Sequence, residues 1–170
     1  MTAASAGPPA EIDRAAVAKY WEGAIMTLGL KAGSLPDDTF QFGDSAEMAD
    51  RLLALVVGGP KRATASCRLD DAEDGSNLPA VGDLAVVCTG SGLPAAVIRT
   101  TDVRVGPLAS VDERFAWDEG EGDRTRADWM RMHANYFERA HPTAWRAFGH
   151  DLPVVFERFE VVCREPETPR

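Results

Sequence analysis

The chain has 170 residues, 45% of them hydrophobic and 26% charged, as expected of a soluble globular protein long enough to bury a real core. Eighteen basic against 27 acidic residues give a net charge of −9, which argues against a protein that grips long duplex DNA electrostatically. No apolar run approaches the roughly 20 residues of a membrane span, and the opening MTAASAGPPA has neither a basic nor an apolar signal-peptide region.

In chain order, residues 1–10 read as a disordered tail. Residues 11–30 follow with helical spacing that puts Ala16, Tyr20, Trp21, Ala24 and Leu28 on one face, ended by Gly33, Ser34 and Pro36. TFQFG (39–43) is a short strand candidate. GDSAEMADRLLALVVGG then predicts a helix capped by Asp44 with Glu47 three residues on, and stopped by Gly58 and Gly59. Strand patterns occupy 61–69, 84–89 and 94–105, the last two joined by a GSG turn into a hairpin. Ser110 with Glu113 opens a short helix, and Thr125 with Asp128 a longer one, RADWMRMHANYFERA. Residues 152–163 alternate as a long strand, and 164–170 read as a disordered tail. Five strands and four helices that do not alternate regularly predict a single α+β domain over 11–163, economically built as a small mixed β-barrel with flanking helices.

Cys67, Cys88 and Cys163 are odd in number and have no C-x-x-C partner, so neither a disulfide framework nor a thiolate zinc site is expected. Each reads as a small buried hydrophobe, which suits a reducing cytoplasm. The acidic run DDAED (70–74) reads as a solvated loop.

Three features bear on chemistry. In GGPKRATASC (58–67), Lys61 and Thr64 would face opposite sides of a straight strand and converge only if Gly58-Gly59-Pro60 bends the chain. A desolvated lysine can serve as a base and activate a threonine hydroxyl, while plain strand initiation explains the same residues. At such a loop edge Lys61 is expected to add little to the core, so its removal should leave the fold intact. In DEGEGD (118–123), Gly120 and Gly122 allow positive φ or close approach to a ligand. The acids Glu119, Glu121 and Asp123 could orient a lysine or hold a cation. No second ligand cluster supports a metal, so no cofactor is assigned, although a divalent ion is compatible with the loop. A solvated loop capping the next helix through Thr125 is the simpler reading. Finally Trp129, His133, Tyr136 and Phe137 form a helical stripe, read as core first and as a base-stacking surface second.

Gly59-Pro60-Lys61-Arg62-Ala63-Thr64-Ala65-Ser66 resembles the G-x-K-x-x-T-x-[RS] signature of ASCH domains, relatives of the PUA RNA-binding fold. FGDSAEMADRL (42–52), EGEGDRT…W…H (119–133) and LPVVFERFEVV (152–162) resemble, in the same order, the longer bacterial branch of that family. The resemblance implies a PUA-like barrel whose cleft takes single-stranded RNA or a modified nucleoside. Longer members are linked to cleavage of single-stranded RNA, with the same lysine implicated. Some small members remove the acetyl group from N4-acetylcytidine with a lysine, a threonine and a glutamate. Carried over, these fall on Lys61, Thr64 and Glu119, with Glu121 a near rival for the last. The implied substrate contacts are Ser66, Glu121, Arg124, Thr125 and Trp129. Ser66 stands where many members have arginine, and Thr125 where serine is usual. A non-catalytic RNA-binding or ligand-sensing module is the alternative from another class. The oligomeric state is not legible.

Overall fold

In the computed structural model, which describes residues 7–69 and 78–164, helix α1 spans Arg14–Leu28. Asp13 caps it by accepting the Ala15 and Ala16 N–H groups, and Gly29 ends it at φ 66°, a left-handed conformation that costs glycine nothing. The buried stripe is Val17, Trp21, Ala24 and Ile25, rotated slightly from the face expected through Ala16 and Tyr20. β1 (Asp38–Phe40) leads to α2 (Ala46–Val57). The cap of α2 is Ser45, which accepts the Met48 N–H at 3.2 Å, one residue past the expected Asp44. β2 (Ala63–Cys67), β3 (Leu84–Cys88) and β4 (Pro94–Pro107) follow. Next come α3 (Glu113–Glu119), α4 (Arg126–Ala140), α5 (Pro142–Phe148) and β5 (Pro153–Arg164). α3 is capped by Asp112, not by the expected Ser110. α5 was not expected: at seven residues it is too short for a periodic signal, and its one local cue is Pro142 in the first turn. The DDAED run and residues 165–170 lie outside the described residues, while Arg164, expected in the tail, ends β5.

The five strands order as β1-β3-β4-β5-β2. β1 runs parallel to β3, β3 antiparallel to β4, and β2 antiparallel to β5, so the sheet is mixed and the fold α+β. The expected hairpin of β3 and β4 forms around Gly90-Ser91-Gly92, closed by the Thr89 N–H on Leu93 O at 2.8 Å.

The chain divides into two compact units. One comprises the chain to Gly58, Gly82–Arg99 and the chain from Glu160. Its core packs Val17, Trp21, Ala24 and Ile25 of α1 on Leu84, Val86, Cys88 and Val97. Residues 7–10, expected to be loose, are tied down here. The Ala10 N–H donates to Gly90 O at 2.9 Å, and Gly7 O accepts from Ala46 at 3.3 Å. Burial pushes the Cys88 thiol up to about 11, so it behaves as an inert hydrophobe.

The other unit is Gly59–Val81 with Thr100–Phe159. Its core gathers Ala63 and Cys67 of β2, Phe115 and Ala116 of α3, Trp129 and Phe137 of α4, and Val154 and Phe156 of β5. Register explains the β2 and β5 members. Ala63 pairs with Arg158, Ala65 with Phe156 and Cys67 with Val154, so alternate residues of both strands share this face. Among the described residues, no helix is long and apolar enough to cross a membrane.

Candidate functional site

Lys61 lies two residues before β2, in a segment clamped on both sides. The Arg62 N–H donates to Asp118 O at 2.7 Å, at the end of α3, and Arg62 O accepts from Phe159 of β5 at 2.9 Å. The turn after α3 lies against the Pro60–Lys61 peptide. Gly120 there has φ 71°, and a Cβ at this position would come within 2.8 Å of Lys61 N and Pro60 C. Only glycine meets both demands, so the close approach foreseen for this loop is made to the protein's own backbone.

The clamp sends the Lys61 side chain inward, where it is 1% exposed. Its Nζ lies 2.6 Å from Glu121 Oε1 and 3.8 Å from Glu119 Oε1. Glu119 is itself 1% exposed, while Glu121 keeps 17% of its side chain accessible. The second oxygen of Glu119 accepts the indole N–H of Trp129 and lies 3.2 Å from His133 Nε2. The other ring nitrogen of His133, Nδ1, lies 3.0 Å from Trp129 O. Trp129 and His133 stand four apart on α4, and their rings stack at 3.8 Å and 10°.

Both nitrogens of His133 face oxygen atoms, an arrangement that favours the charged ring with two N–H groups. Burial works against that charge, but the Glu119 carboxylate prevails and raises the pKa of His133. For Glu119, burial likewise opposes ionisation, yet His133 and Lys61 hold its carboxyl below the usual range. Lys61 and His133 thus balance Glu119 and Glu121, as buried charges require. With donors from Trp129 and His133 and the Lys61 charge around it, Glu119 is a fixed anchor. Glu121 is the less buried of the two, with part of its side chain accessible.

The structure thus brings Lys61, Glu119, Glu121 and Trp129 into one group. Thr64 and Ser66 lie on the other face of β2, with Thr64 directly across from Glu157 and Ser66 exposed. Glu157 accepts a 2.6 Å hydrogen bond from Thr100, which is 3% exposed. The Thr125 hydroxyl is committed to structure: it caps α4 at Asp128 N and donates to Asp123 at 2.6 Å. Arg124 covers the indole of Trp117. Trp129 is 2% exposed, with His133 on one face and Phe156 stacked at 6.1 Å, which leaves no surface for a base and corrects the stacking role expected of it. In the sequence His133 reads as a core histidine, and nothing local singles out Glu157 or Trp117. The signals for His133 in the sequence are its i+4 spacing from Trp129 and its place at the end of the EGEGDRT…W…H segment.

Among the described residues no three His, Cys, Asp or Glu side chains converge to hold a metal ion. The cation between the two carboxylates is the ammonium of Lys61. A cavity of about 560 Å³ lies in the first unit, lined by α1 and residues 33–39, and shares no residue with this cluster.

An α+β fold with this mixed five-stranded sheet, and a buried lysine paired to a glycine-spaced glutamate loop, define a PUA-like domain. The chain belongs to the ASCH domain family, whose family model matches residues 38–163. It is similar to a crystal structure of an Enterococcus faecalis protein of family DUF984, at 34% identity and TM-score 0.76, covering 86% of this chain and 88% of that one. It is also similar to the ASCH domain of Lactobacillus crispatus, at 26% identity and TM-score 0.72, covering 89% and 96%. No curated protein matches the chain.

Proposed function

We propose that the protein is a hydrolase that cleaves single-stranded RNA, with Glu121 as the base and Lys61 as the cation beside it. The observation that carries this reading is a lysine 1% exposed and set 2.6 Å from the carboxylate of a glutamate whose side chain is still partly accessible. Taking an ammonium out of water costs several kcal/mol, and such arrangements concentrate at functional sites. In the proposed step Glu121 takes the proton of a ribose 2′-hydroxyl, whose oxygen attacks the adjacent phosphorus. The bond from phosphorus to the 5′-oxygen breaks, leaving a 2′,3′-cyclic phosphate; the leaving oxygen takes a proton from water, and the hydroxide formed takes back the proton held by Glu121. Lys61 supplies positive charge where negative charge develops on the phosphoryl oxygens. Glu119, anchored by Trp129 and His133, keeps Lys61 in place. The net charge of −9 favours a short strand over extended nucleic acid.

A second reading, removal of the acetyl group from N4-acetylcytidine, is favoured by one observation. Thr64 faces Glu157 across the ladder, which places a hydroxyl nucleophile and a carboxylate on one face. Incubating the protein with single-stranded RNA and with N4-acetylcytidine, with and without EDTA, and separating the products distinguishes the two. Cleaved RNA supports the first reading and free cytidine the second. Binding of either without turnover indicates a recognition module, and no interaction with either refutes the nucleic-acid reading.

A further inference from the structure

We propose that Trp117 and Arg124 form a stacking platform for a nucleobase beside the loop that carries Glu121, an inference that rests on the RNA or nucleoside reading above. On α3, Phe115, Ala116 and Glu119 are buried, whereas Trp117 turns outward and is 57% exposed. Trp21 and Trp129, by contrast, are 4% and 2% exposed. An indole kept in water gives up the burial that large aromatic side chains normally find. The Trp117 ring is not left loose: the Arg124 guanidinium lies 3.7 Å from its centroid, and Arg124 Nε donates to Trp117 O at 3.0 Å.

Arg124 adopts an unusual backbone conformation to reach this position. At φ 65° it is the one non-glycine residue in the left-handed region among the described residues. Such a conformation costs roughly 1 kcal/mol or more. Its N–H donates to Glu121 O at 3.0 Å, which closes the loop back on the very residue that pairs with Lys61. Trp117 precedes Glu119 by two residues, and Arg124 follows Glu121 by three. The platform and both carboxylates therefore belong to one continuous, hydrogen-bonded piece of chain.

The chemistry selects the ligand group. Indole rings and guanidinium planes are both surfaces on which unpaired bases stack. Asp123, the residue before Arg124, disfavours a phosphate at this place. The platform would thus hold a base while Lys61 and Glu121 meet the backbone or the exocyclic group beside it, a division that leaves turnover to the one and affinity to the other.

Binding is measured by tryptophan fluorescence with cytidine, adenosine, a short single-stranded oligonucleotide and ribose 5-phosphate. Trp117→Ala, Trp117→Phe and Arg124→Gly are compared with the wild type by isothermal titration. Arg124→Gly removes the guanidinium and is compatible with the positive φ, so it should fold. Trp117→Ala is expected to weaken base-containing ligands about 5- to 100-fold. Trp117→Phe should retain most of the affinity, and Arg124→Gly should lie between. With a turned-over substrate the loss should fall on KM while kcat holds. Wild-type affinity for nucleosides and oligonucleotide in Trp117→Ala overturns the platform and leaves the hydrolase reading standing. Ribose 5-phosphate binding as tightly as the nucleosides also overturns it, since the contact would then be to phosphate. Absence of any binding or turnover by the wild type overturns both.

Discussion

Replacing Lys61 tests the site most directly, and the structure changes what the replacement should do. The residue is 1% exposed and among the largest fully buried side chains, so the expectation that its loss would leave the fold intact does not hold. Lys61→Met keeps most of the volume and deletes the ammonium, leaving Glu119 and Glu121 with His133 as the one remaining cation of the group. Breaking a buried ion pair by removing one partner costs about 3–5 kcal/mol. Lys61→Ala also removes three buried methylenes, worth about 0.8 kcal/mol each, or roughly 2 kcal/mol more. In a chain of this size each kcal/mol shifts Tm by about 2–4 °C, so Lys61→Met should melt roughly 6–20 °C below the wild type. Urea unfolding at pH 7, followed by circular dichroism, measures the difference. Lys61→Met combined with Glu119→Gln should be less destabilised than the sum of the two single variants, because the double change removes both charges of one pair. A Lys61→Met protein within 1 kcal/mol of wild type, or strict additivity in the cycle, would refute the charge-balanced cluster. Any loss of turnover in Lys61 variants must therefore be read per folded molecule.

Two further outcomes follow from the same geometry. The pKa of His133 is raised, so the stability it contributes is fully present below the ordinary histidine value of about 6.5 and is lost as pH rises through the raised folded value. Glu119 is shifted the other way, and its contribution is present above the ordinary carboxylate value of about 4.3 and is lost as pH falls through its lowered folded value. Urea midpoints across pH should show both flanks, and His133→Gln should abolish the alkaline one; an unchanged alkaline flank in that variant would assign it to another group. Gly120→Ala combines a left-handed φ of 71° with a Cβ 2.8 Å from the Lys61 and Pro60 backbone, so it should cost at least about 1–3 kcal/mol and displace Lys61. Gly29→Ala, at φ 66° in the same left-handed region with no atom within 4 Å, should show the conformational cost alone. Equal effects of the two glycine variants in thermal melts would refute the packing argument.

Local signals carried much of the fold. The helical spacing of α1, α2 and α4, the caps at Thr125 and near Ser45, the GSG turn and the alternation of β5 depend on neighbours within a few residues, and the chain displays them openly. The family motif likewise marked Lys61 and the glutamate loop, because a glycine pair, a proline and a glycine-spaced acidic run are backbone requirements that few other residues satisfy. What the sequence withheld is whatever depends on which face meets which partner. Trp117 and Trp129 are both helical tryptophans, and nothing local says that the one stays in water while the other is sealed under His133 and Phe156. Glu119 and Glu121 differ by a single glycine between them. Only the packing of α4 against the end of α3 turns the first into a buried anchor and leaves the second accessible beside the lysine. Burial of Lys61 is decided the same way, since the charge of a side chain is written in the sequence but its desolvation is set by elements distant along the chain that close over it.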